Sequence, residues 1–194
     1  MKTLILASRS PRRVEILRRH GIRTFLQEVC PLEEKAESDK GTAWYVTSLA
    51  TAKASYVAGM HTDGIVIGAD TVVCLEKQLL GKPENGEEAR KMLHMLSGRS
   101  HEVITGVCLW DVTGKRTVQF AKRSTVTFGT LDDARIDWYI STGEPMDKAG
   151  SYAIQGYAKE KILSYSGDLE NIIGLPGRDV EKALTVLGWK SEGV

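Results

Sequence analysis

The chain has 194 residues, 42% of them hydrophobic and 26% charged, with a formal net charge of +1. That length and balance suit one domain spanning 1–194, or one domain folded as two lobes about a cleft, with a buried core. A charge so near zero gives no ground for a nucleic-acid or membrane partner, although a local group of cations can still hold a small anion.

Residues 1–7 carry one lysine and a short apolar run that Arg9, Pro11, Arg12 and Arg13 cut off, too short for a signal peptide. No apolar stretch approaches the roughly 18 residues of a membrane span. Cys30, Cys74 and Cys108 are odd in number, far apart and flanked by apolar residues. They form neither a disulfide framework nor a metal spacing and read as buried thiols. A cytoplasmic protein is the expectation.

In chain order, residues 3–7 read as a buried strand and 11–20 as a helix, with Ser10 as its cap, Pro11 at its first position and Gly21 ending it. Residues 24–29 form a candidate second strand, and 42–60 the longest helix candidate. A Val- and Ile-rich β run at 65–75 is interrupted by Asp70 and followed by a return at 77–80. A helix over 87–96 is stopped by Gly98. Two β runs, 102–110 and 116–128, flank a turn at 111–115. Thr130 and Asp133 make a capping-box-like start to a helix through Thr142. A short strand at 161–165 and a last helix at 178–187 follow. Strands and helices intermix without a strict βαβ rhythm, and one long hairpin is present. The predicted class is α/β, a mixed twisted sheet flanked by helices.

Five places carry chemistry. At Ser8-Arg9-Ser10-Pro11-Arg12-Arg13 a buried strand ends and a helix begins, so helix N–H groups, the helix dipole and two arginines meet where an anion could sit. A capped helix with two solvated arginines fits the same residues. The glycines of a Walker loop are absent. Lys53 lies inside the apolar stripe of Val46, Leu49, Ala50, Ala54 and Val57, where a lysine must snorkel outward or find an anion. Asp70 interrupts a buried strand, which is costly unless it is paired or holds a metal; a turn between two short strands is the plain alternative. The Gly-rich segment 143–156 shapes a loop, in which Gln155 can both donate and accept as a nucleobase edge requires. A surface loop has the same composition. Residues 166–176 read as a turn leading into the last helix, with packing as the default role. Lys82 and His101 are uninformative alone, and no histidine pair has zinc spacing.

Together these segments resemble the Maf family of nucleotide pyrophosphatases, over almost the whole chain. The opening Ser8-x-Ser10-Pro11-Arg12-Arg13 is followed in order by Lys53-Ala54, Gly68-Ala69-Asp70-Thr71 and Gly81-Lys82-Pro83. Then come Ser97-Gly98 with His101 and Thr105-Gly106, Asp147-Lys148-Ala149-Gly150, and Gly174-Leu175-Pro176. The resemblance implies a fold akin to inosine-triphosphate pyrophosphatases, a nucleoside-triphosphate substrate cut to monophosphate and pyrophosphate, a divalent cation such as Mg²⁺ or Mn²⁺, and a homodimer. It implies Asp70 as proton acceptor and, with Glu34, as metal ligand. It implies phosphate binding by Ser8, Ser10, Arg13, Lys53 and Lys82. Arg12, Thr71 and Gln155 stand at the base-selecting positions, in the combination of the dTTP/UTP subgroup. Cys30-Pro31-Leu32-Glu33-Glu34 lacks the aspartates that lead into the family's acidic pair, which leaves Glu33 as an alternative to Glu34. Met146 and Gly177 stand where the family has leucine. A nucleotide-binding regulator of cell division with little turnover is the competing reading, and the intact set of Asp70, Lys53 and Lys82 speaks against it.

Overall fold

A computed structural model describes residues 2–31 and 40–190. The chain divides into two compact units: Met1–Asp70 with Thr105–Lys122 and Gly174–Val194, and Thr71–Ile104 with Arg123–Ile173. The strands β1 (Leu4–Ala7), β2 (Leu26–Glu28), β3 (Ile65–Leu75), β4 (Gln78–Leu80), β5 (Ser100–Asp111), β6 (Arg116–Phe128) and β7 (Ile162–Ser166) lie in the order β2-β1-β3-β5-β6-β7, with β4 paired to β3, so the predicted α/β class with a mixed sheet holds.

The first unit begins with β1 (Leu4–Ala7), α1 (Pro11–Arg19), β2 (Leu26–Glu28), α2 (Thr42–Ala58) and the opening of β3 (Ile65–Leu75). β1 pairs in parallel with both neighbours, Leu6 lying opposite Gln27 on one side and Ile67 on the other. Parallel neighbours need crossover connections, which α1 and α2 provide. All four residues of β1 are buried, as expected of a strand covered on both faces. The chain leaves β1 to one side for β2 and comes back on the other side for β3. The carboxyl end of β1 is therefore a topological switch point, where open α/β sheets bind ligands.

Helix α2 lies hard against this sheet. Its stripe of Val46, Leu49, Ala50, Ala54 and Val57 is buried, as the spacing predicts. Two strand glycines permit the approach. A Cβ on Gly68 would stand 2.2 Å from the Ala50 carbonyl oxygen, and one on Gly106 would stand 2.3 Å from the Val46 carbonyl carbon. Small residues on both sides, Ala7, Ala50, Ala54 and Ala58 with Ile5, Val57 and Val66, complete the packing. The unit also holds part of β5 (Ser100–Asp111), part of β6 (Arg116–Phe128) and α6 (Gly177–Val186), to which Lys122 is tied through Asp179 at 2.8 Å.

In the second unit the end of β3 turns back into β4 (Gln78–Leu80), with Val73 opposite Leu80. Glu76 and Lys77 both have positive φ, 48° and 77°, as a two-residue hairpin of the primed type demands. α3 (Gly86–Leu96) is capped by Asn85, whose side chain accepts from the Glu88 N–H at 3.0 Å. α4 (Asp133–Ser141) starts from Asp132, which accepts from the Arg135 N–H at 2.7 Å, and not from the expected Thr130. Residues 144–161 hold three short 3₁₀ turns. β7 (Ile162–Ser166) then runs antiparallel to β6. The predicted turn near 166–176 contains a short helix, α5 (Leu169–Ile173). It is anchored by buried Asn171, whose amide donates to the Val103 carbonyl at 3.0 Å and to Ser124 Oγ at 2.9 Å. Among the described residues no helix is long and apolar enough to cross a membrane.

Gly68→Ala must push α2 off β3, because the obstacle is backbone and not a flexible side chain. Such overpacking costs about 2–3 kcal/mol, which at this chain length lowers Tm by roughly 4–10 °C. Thermal unfolding of the variant checks this, and a Tm within 1–2 °C (about 0.5 kcal/mol) of the parent contradicts it.

Candidate active site

Strand β1 ends at Ala7, and the chain turns at once, Ser8 N–H bonding back to the Leu6 carbonyl at 3.0 Å. Ser8 is buried and organises the turn into α1. Its hydroxyl accepts from the Ser10 N–H at 3.2 Å and from Arg13 Nη1 at 2.9 Å, while its carbonyl accepts from Gln27 Nε2 at 2.7 Å. Arg13 is held a second time, Nε donating to the Gly174 carbonyl at 2.9 Å. A guanidinium held at two of its donors is a preorganised cation and not a solvated surface arginine. Ser10 occupies the N-cap position of α1, but its side chain makes no capping bond. The expected cap is thus positional only, and Ser8 does the organising. Arg12 is half-buried in the first turn.

The second element comes from α2 and β3. Strand side chains alternate, so Gly68 and Asp70 face the same side. Gly68 lets α2 down onto that face, and Lys53, one position before Ala54, then reaches Asp70. Lys53 Nζ and Asp70 Oδ1 are 2.6 Å apart, with side chains 14% and 5% exposed. Of the two fates open to Lys53, the structure has the ion pair. Asp70 sits within continuous strand, so the turn alternative for it does not apply. The two elements occupy the same end of the sheet. Leu6 lies opposite Ile67; Ser8 is two residues beyond the one and Asp70 three beyond the other.

Lys82, Thr71 and Gln155 belong to the second unit. Lys82 is exposed in the loop after β4, whose Gly81 carbonyl accepts from the Gly150 N–H at 3.0 Å. Gly150 has φ 67°, and a Cβ there would meet Val73 at 2.8 Å. Gln155 is exposed between buried Ile154 and half-buried Gly156. Glu34 and its alternative Glu33 lie outside the described residues. Among the described residues no three His, Cys, Asp or Glu side chains converge as a metal-binding group.

Residues 3–187 match the family model described as Maf-like protein. The chain belongs to that family. A curated relative from Symbiobacterium thermophilum, named dTTP/UTP pyrophosphatase, is 46% identical over 97% of this chain and 96% of its own length. Relatives with the same name from Bacillus cereus strain G9842 and Desulforamulus reducens are 46% and 45% identical, over 91% and 97% of this chain and 91% and 98% of their own lengths. A solved dITP/XTP pyrophosphatase from Mycobacterium abscessus aligns with a TM-score of 0.46 and 14% identity, over 95% of this chain and 94% of its own, a likeness too slight to carry an argument.

Within this Maf-like chain, several motif residues have structural work that the sequence left open. Gly174 of Gly174-Leu175-Pro176 supplies the carbonyl that holds Arg13, so that motif does more than pack. Gln27, paired beside Leu6, holds the Ser8 carbonyl and carried no signal in the sequence beyond an amide in a β run. His101 lies buried in an aromatic cluster of the second unit, its Nε2 2.7 Å from the Tyr152 hydroxyl, with Phe128 packed against both rings.

Burial pulls the His101 imidazole down from 6.5 to about 4. It is neutral in the folded state near pH 7, whereas the unfolded chain takes up its proton near 6.5. Stability tied to this residue is therefore complete above about pH 6.5 and is lost as pH falls toward 4, by about 3 kcal/mol. Urea unfolding at pH 7 and pH 4 measures the loss. It should be smaller in His101→Gln; equal losses in the two proteins contradict the assignment.

Proposed function

We propose that this chain hydrolyses nucleoside triphosphates, dTTP and UTP first among them, to the monophosphate and pyrophosphate. The observation that carries the reading is the buried Lys53–Asp70 pair at the same sheet end as the Arg13–Ser8 turn. A charge pair taken out of water is costly, so a fold keeps it where it has a task or excellent partners. The relatives named dTTP/UTP pyrophosphatase, 45–46% identical across nearly the whole chain, support the same chemistry and supply its substrate class.

In this reading a water attacks the α-phosphorus, a new P–O bond forms, and the bond from that phosphorus to the α–β bridging oxygen breaks. Asp70 accepts the proton of the attacking water, and pyrophosphate departs with the electron pair. Ser8, Ser10, Arg13, Lys53 and Lys82 are the phosphate-binding residues of this reading. Lys53 also keeps the Asp70 carboxylate oriented. Positioning and electrostatics supply most of the rate in phosphoryl transfer, and a preset guanidinium is suited to both. Arg12, Thr71 and Gln155 select the base, Gln155 through an amide able to donate and accept. The chain acts as one functional domain, and a cytoplasmic setting is part of this reading, the spacing of Cys30, Cys74 and Cys108 suiting buried thiols.

A divalent cation of the Mg²⁺ type is part of this reading, with Asp70 as one ligand. Such an ion takes one or two carboxylates and completes its shell with phosphate oxygens and water. Asp70 is a hard oxygen donor of that kind, and Glu34 is the proposed second ligand. An all-protein cage does not fit the described residues. When bound, the ion would offset polyphosphate charge.

Asp70→Asn keeps the side-chain shape and removes the proton acceptor. Its pyrophosphate release from dTTP should fall about a thousandfold, within the roughly 10²–10⁴ range usual for loss of a general base, in protein that circular dichroism at the assay temperature shows to be folded, although less stable than the parent because Lys53 loses its ion-pair partner. Undiminished turnover removes Asp70 from the mechanism. Nucleotide binding without pyrophosphate release in the parent chain would leave the regulator reading standing.

A further inference from the structure

Gln155 is exposed, and something must fix the turn that carries it. The segment does not belong to a strand or an α-helix: residues 153–156 run between two 3₁₀ turns, Ala149–Ser151 and Tyr157–Lys161. Its backbone is instead tied to one carboxylate. The Tyr157 N–H is shared by Glu144 Oε1 and Oε2 at 3.2 and 3.3 Å. The Tyr139 hydroxyl donates to Glu144 Oε1 at 2.5 Å and accepts from the Ala153 N–H at 3.1 Å. The two bonds thus clasp the chain two residues before Gln155 and two after it. Burial, reinforced by the Glu144 carboxylate, pushes the Tyr139 phenol above its ordinary range, so it stays a donor to Glu144.

The local sequence brings the carboxylate there. α4 ends with Tyr139 on its buried side, and Gly143, at φ 75°, turns the chain left-handed so that Glu144 folds back beneath Tyr139. Gly156 leaves the opening on the other side. A Cβ at that position would stand 2.1 and 2.2 Å from the two Glu144 carboxylate oxygens. Glycine beside Gln155 is thus required by the space the carboxylate fills, and not by a positive φ, since Gly156 has φ −96°.

We propose that Glu144 is a positioning residue for base selection: with Tyr139 it clasps the Ala153–Tyr157 turn and thereby sets the direction in which Gln155 presents its amide. This rests on the reading of Gln155 as the residue that meets the base. Glu144 itself touches neither substrate nor reacting atoms in this role. Loss of the clasp should therefore weaken discrimination between bases and raise KM for pyrimidine triphosphates while leaving kcat within about threefold, the pattern of lost binding and not of lost chemistry.

The test measures kcat and KM for dTTP and dGTP, Tm, and the amide proton resonance of Tyr157 in ¹⁵N-labelled protein. Four variants are compared with the parent: Glu144→Ala, Glu144→Gln, Gly156→Ala and Gln155→Ala. Glu144→Ala should lower the dTTP to dGTP ratio of kcat/KM about tenfold or more and move the Tyr157 amide upfield. Glu144→Gln, whose amide oxygen still accepts, should recover most of the ratio. Gly156→Ala, which expels the carboxylate without deleting it, should reproduce Glu144→Ala, and it decides the matter if Glu144→Ala does not fold. An unchanged ratio in Gln155→Ala overturns the base-reading role of Gln155 itself. A ratio that falls in Gln155→Ala but is unchanged in folded Glu144→Ala or Gly156→Ala overturns the clasp alone.

Discussion

One ion pair sets the terms for the first unit. Lys53 and Asp70 meet at 2.6 Å with both side chains largely out of water. Removing either partner would strand a buried charge, at a cost of several kcal/mol. The pair exists only because α2 touches the sheet backbone to backbone, and that contact depends on glycine at 68 and 106 and alanine at 50 and 54. Larger side chains at these positions would widen the gap, and a lysine reaching across it would meet solvent before it met the carboxylate.

The same economy runs through the other motif residues. Four glycines make room for a neighbour: Gly68 and Gly106 for the α2 backbone, Gly156 for the Glu144 carboxylate, and Gly150 for the Val73 side chain. Polar motif residues are held by the main chain, as Arg13 is by the Gly174 carbonyl. The loop carrying Lys82 is tied in the same manner, through the bond from Gly150 N–H to the Gly81 carbonyl. These bonds fix side chains before any ligand arrives, which is what electrostatic stabilisation of a developing charge requires. A family motif so understood is a set of packing and orientation constraints with a few chemical groups among them.

Much of this was legible in the residues. The bounds of β3 follow from a Val- and Ile-rich run, those of β6 from a Thr-, Val- and Phe-bearing run after a turn, and the α2 stripe from helical spacing, which also singled out Lys53 as misplaced unless it met an anion. What the sequence withheld was partnership. Nothing in a linear pattern says that Arg13 bonds a carbonyl 161 residues away, or that Lys53 pairs with Asp70. Local caps were missed for a simpler reason. Asn85 and Asp132 each precede a helix whose first turn is acidic, yet Thr130 offered an equally good pattern nearby, and only side-chain geometry separates Asp132 from Thr130. The role of Glu144 was hidden because its partners are main-chain N–H and a tyrosine hydroxyl, groups that leave no spacing signature.

Lys53 and Asp70 stabilise one another as a buried pair. A double-mutant cycle with Lys53→Met, Asp70→Asn and the double variant, followed by urea unfolding, measures that coupling directly. The double variant should be less destabilised than the sum of the single ones, with a coupling of about 2 kcal/mol or more. Additive effects, within about 0.5 kcal/mol, would show that the two groups do not depend on each other and would contradict that coupling.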